Sequence, residues 1–218
     1  SYGPCKLIYN YPNRDIFTDP VKENIRDPYK IIYHGQQRKE RGLFIIIKAM
    51  YLVCKIIPKA SLDLIGKFSY DDEKIKAIQL IKRLNLGANI SLLSNVPHTD
   101  IPKFLYSSQI GILPFLDITK FHKNIGMKMF EYAACKLPMV ASDLPPARKF
   151  IDKEKCGLYV KPDSENSVAE GILDLLKDPS KINILAKNGF KAYQNKCYWE
   201  SQENKLFTIY NELAGLMT

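Results

Sequence analysis

Short apolar runs alternate with longer amphipathic stretches along most of this chain. Tyr29 to Tyr33 is a β-rich run that ends at Gly35, and Leu43 to Ile57 carries apolar residues at helical spacing. Ser61 to Ile65 predicts a second strand closed by Gly66, and Asp71 to Leu84 an amphipathic helix. Ile90 to Leu93 predicts a third strand, Ile101 to Ser107 a short helix, and Ile110 to Pro114 a fourth strand. A helix carrying Glu131 comes next, then strands at Met139 to Ala141 and Leu158 to Val160. Ser167 to Lys177, Pro179 to Gln194 and Trp199 to Leu216 read as closing helices. About six short apolar strands separated by helices imply an α/β fold, a doubly wound and mainly parallel sheet with helices on both faces. The first 27 residues differ: Tyr11-Pro-Asn13, Asp19-Pro20 and Asp27-Pro28 favour turns, and only Lys6 to Tyr9 looks like a strand. That segment reads as a linker or an edge.

The run from Asn124 to Asp143, NIGMKMFEYAACKLPMVASD, carries the most chemistry. Gly126 opens a helix whose free N–H groups and dipole suit a phosphate at close approach. Glu131, more than a turn further on, offers only acceptor oxygens when ionised and suits neighbouring hydroxyls such as those of a ribose. Leu137 to Asp143 reads as a turn, a buried strand and a polar strand end, where ligands of open α/β sheets collect. The plain alternative stands beside this. Met127, Phe130 and Ala134 would pack as core in any protein, and Lys128 and Glu131, three apart, could form a surface ion pair.

Composition narrows the classes. The 218 residues are 46% hydrophobic, enough for one well-packed domain and too apolar for disorder. A formal charge of +9 favours anionic partners. Its lysines are spread without a basic block, and no zinc-finger spacing or aromatic ribonucleoprotein motif occurs, so nucleic acid is not the expected partner. The five cysteines form no Cys-x-x-Cys pair, which fits a reducing, intracellular place. No apolar run has the length of a spanning helix, and the start lacks a signal-peptide layout. The chain begins at Ser1, as a processed product or a piece of something longer would. The glycine fingerprint of dinucleotide-binding folds and the Walker phosphate loop are both absent.

From about Lys6 to Leu213 the order of motifs resembles the C-terminal, donor-binding half of a GT-B glycosyltransferase of the retaining family 4, or group 1. IYNYPNRDIF, with Asn10 and Phe17, is similar to the segment by which the chain enters the second domain. YHGQQRKERGLFIIIKAM resembles the family's strand, glycine, basic loop and helix, and DLIG and VPHTDIPKFLYSSQIGILPF its next strand units. Gly126, Glu131 and KLPMVASD fall where the family has its sugar-nucleotide motif, and CGLYVKPDS resembles its closing strand.

The resemblance implies a Rossmann-like domain over 28–196, a linker at 1–27, and a helix at 197–218 that packs back toward an N-terminal domain. It implies a nucleotide diphosphate sugar as donor substrate, no metal or other cofactor, and an acceptor held by an N-terminal domain or separate subunit. The product would be a polysaccharide or glycolipid. Such an enzyme would be cytoplasmic, peripheral at a membrane where its acceptor is lipid-linked. The nucleotide-binding set is Gly35, Gln36, Arg41, Gly66, His98, Asn124, Gly126, Met127, Lys128 and Glu131, with Arg41, Lys128 and Glu131 serving catalysis. His98 would lie near the base and act through backbone atoms. Three departures stand out. Lys123 replaces the family's first motif glutamate, which touches the transferred sugar. Gln36 replaces an arginine after the strand glycine, and Arg41 replaces a lysine. Arg41 keeps a cation for the diphosphate, and Arg38 or Lys128 is the candidate for the missing charge, Lys128 being favoured by its place near the start of the motif helix. A non-catalytic nucleotide-sugar-binding module, or the donor subunit of a split transferase, is the alternative reading.

Overall fold

The structure is a computed structural model, and it describes residues 6–17, 26–94, 96–124 and 126–215. Six parallel strands form the sheet: β1 (Lys30–His34), β2 (Ser61–Ile65), β3 (Ile90–Leu93), β4 (Ile110–Leu113), β5 (Met139–Ser142) and β6 (Gly157–Val160). Their order is β3-β2-β1-β4-β5-β6. The chain therefore winds one way from β1 through β3 and the other way from β4 onward. The reversal leaves a crevice at the carboxyl ends of β1 and β4, the switch point where open α/β sheets bind ligands.

Helices cover both faces. The sheet alternation sends Ile31 and Tyr33 to one core, with Leu62, Leu64, Ile110 and Ile112, against α1 (Leu43–Ile56), α2 (Asp71–Arg83) and α7 (Glu165–Leu176). Ile32 points the other way, with Ile65, Leu113, Met139 and Ala141. It packs against α3 (Ile101–Ser107), α5 (Met127–Ala134), α6 (Pro145–Glu154) and α8 (Pro179–Asn195). The central strands β4 and β5 are buried throughout and read as apolar runs, whereas β2 carries the buried Asp63 and the edge strands β3 and β6 are partly exposed. A five-residue helix, α4 (Thr119–Lys123), leads into α5, and α9 (Trp199–Gly215) ends the described chain.

α5 is fixed from beneath by Tyr132. Its ring fills the space over Gly111 of β4, where a Cβ would come within 2.5 Å of the ring. Its hydroxyl points at the Ile32 and Ile112 carbonyls at 3.4 and 3.3 Å, bridging the two strands that flank the switch point. One residue earlier on the same helix, Glu131 is thereby set at the crevice.

Two expectations change. Lys6 to Tyr9 is not a strand: the Tyr9 N–H donates to Gln202 Oε1 of α9 at 3.1 Å rather than to a sheet edge. The following residues are also tied to the chain's far end. The Trp199 N–H donates to the Pro12 carbonyl, the Arg14 N–H to Glu200, and Tyr193 Oη to the Phe17 carbonyl. Residues 1–5 and 18–25 of the expected linker, and Leu216 of the last helix, lie outside the described residues. The second change is α6, which the sequence reading passed over. Its tandem Pro145-Pro146 looks like a turn, yet proline at the first helical positions loses no hydrogen bond.

Candidate functional site

A cavity of about 940 Å³ opens at the carboxyl ends of β1 and β4, a size that suits a nucleotide-like ligand. His34 and Gly35 from the end of β1, Arg41 from the basic loop, His98 from the β3–α3 connection, and Asn124, Gly126, Met127, Lys128 and Glu131 around the start of α5 all line it. The N-terminal segment from Leu7 to Tyr11 closes one wall. Eight of the ten expected binding residues thus meet at one cavity. Gln36 and Gly66 are not part of its lining.

Gly66 has a different task. At φ +132°, a Cβ there would stand 2.1 Å from the Gly35 carbonyl oxygen, so glycine lets the ends of β1 and β2 approach. The Gln36 side chain faces solvent, and its carbonyl accepts from Tyr33 Oη at 3.0 Å. The buried side chain is its neighbour Gln37, whose Nε2 donates to the Gly35 and Ile65 carbonyls at 3.1 and 3.2 Å and pins the loop.

Two cations converge over Gly35. A Cβ on this glycine would fall 2.7 Å from Lys128 Nζ and 3.8 Å from Arg41 Nη1, so the missing side chain is what leaves them room. Lys128 is only 8% exposed, and neither cation is paired with a carboxylate among the described residues. Arg41 Nε is buried without a hydrogen-bond partner. Burial, aided by the Arg41 charge and opposed by Glu131, pulls the Lys128 pKa from 10.5 down to about 8. Buried unpaired charge is costly, and an anion placed between these groups would relieve the cost. Beside them, Gly126 caps α5 with open space around it: a Cβ there would meet only Phe115, at 3.6 Å.

Glu131 is wholly buried. His98 Nε2 lies 2.8 Å from its Oε1 in a hydrogen bond. His34 Nε2 lies 3.1 Å from Oε2, close enough for an ion pair but not aligned as a hydrogen bond. Burial alone would raise the carboxyl pKa; the two imidazoles outweigh it and hold Glu131 down at about 2. The His98 side chain thus engages Glu131, a contact separate from the approach to a base that the sequence reading expected of its backbone. The surface Lys128–Glu131 ion pair is not formed.

His34 was missed. It follows Ile32 by two positions on β1 and so faces the same side, the side α5 covers. That alternation was the available signal. Lys123 and Asn124 line the cavity just ahead of α5, and Lys149 and Lys153 add positive charge to the lining, where Lys196 is paired with Glu154 at 2.8 Å.

A doubly wound parallel sheet with a cation-lined crevice at its switch point defines the class of open α/β folds that take ligands outside the carboxyl ends of their strands. Within that class, residues 15–192 match the family described as glycosyl transferases group 1, and the chain belongs to that family. One curated relative is the N-acetylgalactosamine-N,N'-diacetylbacillosaminyl-diphospho-undecaprenol 4-alpha-N-acetylgalactosaminyltransferase of Campylobacter jejuni. It is 26% identical over 194 residues, covering 88% of this chain and 47% of that protein. The fold matches Anabaena HepE in complex with UDP, with a TM-score of 0.81 at 16% identity over 95% of this chain and 57% of that one. It also matches the C-terminal domain of a glycosyl transferase group 1 family protein from Francisella tularensis. There the TM-score is 0.71 at 20% identity, over 85% of this chain and 98% of that one. The chain spans about half the length of the curated relatives it matches first. Among the described residues, no helix is long and apolar enough to cross a membrane.

Proposed function

We propose that this chain is the donor-binding half of a retaining glycosyltransferase that acts on a nucleotide diphosphate sugar. The observation that carries the reading is the pair of unpaired cations, Arg41 and Lys128, converging over Gly35 at the sheet's switch point. The diphosphate sits between them and the N–H groups that open α5. Glu131 accepts from ribose hydroxyls, the base lies on the His98 side, and the sugar extends toward Lys123 and Asn124. As the anomeric bond breaks, negative charge grows on the leaving phosphate. Cations already held in place stabilise that charge without reorganising, and they supply without a metal ion the positive charge the step needs.

The acceptor is held by an N-terminal domain or a separate subunit. Phe207, Tyr210 and Leu213 support this: three residues apart, they form one exposed apolar face of α9. The names of relatives that act on lipid-linked or polymeric acceptors support a product in polysaccharide or glycolipid synthesis. A cytoplasmic enzyme, peripheral at the membrane, accords with that. The test is titration calorimetry of the 218-residue chain with uridine, guanosine, adenosine and cytidine diphosphates, against the matching nucleosides and inorganic pyrophosphate. One diphosphate should bind in preference to its nucleoside, with affinity that falls as salt is added. Equal binding of nucleoside and diphosphate would contradict the assignment.

A further inference from the structure

Glu131 poses a problem for its own assignment. Its side chain is 1% exposed, so no ligand hydroxyl can reach either oxygen while the present neighbours stay in place. Something must move, and its two covers differ in freedom. His34 is 5% exposed, continues β1, and stands edge-on to the Tyr132 ring with centroids 5.4 Å apart. His98 begins a single turn of 3-10 helix, has a side chain 49% exposed, and touches the Phe17 ring on one edge. It also lines the cavity.

We propose that His98 is an exchangeable cap on Glu131, occupying Oε1 in the free protein and yielding it to a hydroxyl of the ligand, while His34 stays beside Oε2 as a fixed positioning residue. This rests on the nucleotide reading above. The protein binds only in the uncapped state, so its apparent affinity is reduced by the fraction uncapped.

The cap makes binding depend on pH. Glu131 is faced by His34 from β1, by His98 from the 3-10 turn, and by Lys128 and Tyr132 from its own helix, with Arg41 acting on Lys128. On the His98 turn, Asp100 is engaged by Lys103 at 2.9 Å. The hydrogen bond to Glu131 raises the His98 pKa above 6.5 against the opposing effect of partial burial, whereas burial lowers that of His34. His98 is thus the group that charges. Protonated, it holds the carboxylate as an ion pair; neutral, it holds it by one hydrogen bond. Acid strengthens the cap and weakens the ligand.

Two measurements on the whole chain test this. The first is an NMR titration of the imidazoles in the free protein, where His98 should titrate above its ordinary value and return toward it in Glu131→Gln. An unshifted His98 would overturn the cap. The second is calorimetry between pH 5.5 and 7.5 with UDP-glucose, GDP-mannose, ADP-glucose and CDP-glucose, whose phosphates stay ionised throughout that range. Wild-type affinity should fall toward pH 5.5, by at most about tenfold per pH unit for one proton. His98→Ala should lose that dependence and bind several-fold tighter than wild type at pH 5.5. Weaker binding by His98→Ala would show that His98 contacts the ligand directly and would overturn the exchange. Binding with pH-independent affinity overturns the exchange alone. No binding by any of the four at any pH overturns it together with the nucleotide reading.

Discussion

Lys128 and Arg41 bring two positive charges over one glycine, with no carboxylate of the described residues paired to either. A folded chain tolerates this where the charges serve a ligand. Lys128→Met should therefore weaken diphosphate binding by about 10- to 100-fold, the worth of one or two charge-assisted hydrogen bonds, and leave the free protein at least as stable. Calorimetry and urea unfolding measure the two effects. Loss of stability without loss of affinity would remove Lys128 from the site.

The depressed pKa of Lys128 gives that residue opposite effects on stability and binding as pH rises. Between about 8 and its ordinary 10.5 the unfolded chain binds more protons at this group than the folded one, so its contribution to stability grows with pH. Diphosphate affinity should fall over the same range as the ammonium is lost. The difference between wild type and Lys128→Met, followed from pH 7 to 10, isolates both trends.

His98 works in the other sense. Its folded pKa is raised, so its pairing with Glu131 stabilises fully below 6.5 and is lost as pH rises through the raised value. The stability gap between wild type and His98→Ala should be widest near pH 5 and narrow toward pH 8. Glu131, held at about 2, keeps its charge across that window. A gap that does not change with pH would contradict the pairing.

Tyr132 links the fold to the site. Tyr132→Ala would empty the space over Gly111 and cut the tie between α5 and the β1–β4 switch point. It should cost about 3–5 kcal/mol, in the range of large aromatic truncations in cores. Denaturant unfolding reads the cost. A loss under 1 kcal/mol would mean that α5 is held elsewhere.

The sheet was readable because the strands are short and mostly apolar, broken only by single polar residues such as Asp63 in β2 and Ser91 in β3, and the crossovers are longer and amphipathic. The exceptions have local causes. Lys6 to Tyr9 has a strand's composition, but what it meets is Gln202, far along the chain, which no window of sequence contains. α6 hid behind two prolines that a helix start accepts. In the site, Gly35, Arg41, Gly126, Lys128 and Glu131 could be chosen by chemistry and motif order. The roles of Gly66 and Gln37 depend on how closely two strand ends pack and could not be chosen that way. His34 was legible in principle, by alternation with Ile32, but only once it is known which face of β1 the Glu131 helix covers.

On the proposed reading, Glu131, Arg41 and Lys128 form one nucleotide diphosphate site. Thermal unfolding of the chain with uridine, guanosine, adenosine and cytidine diphosphates, wild type beside Glu131→Gln, tests it most directly. Ligand at about a hundredfold over its dissociation constant should stabilise by roughly 2.7 kcal/mol, a rise of roughly 5–10 °C for a chain of this size. That shift is expected for one base in wild type and a much smaller one in Glu131→Gln, with pyrophosphate affecting both proteins alike. No shift with any nucleotide, or the same shift in both proteins, would contradict it.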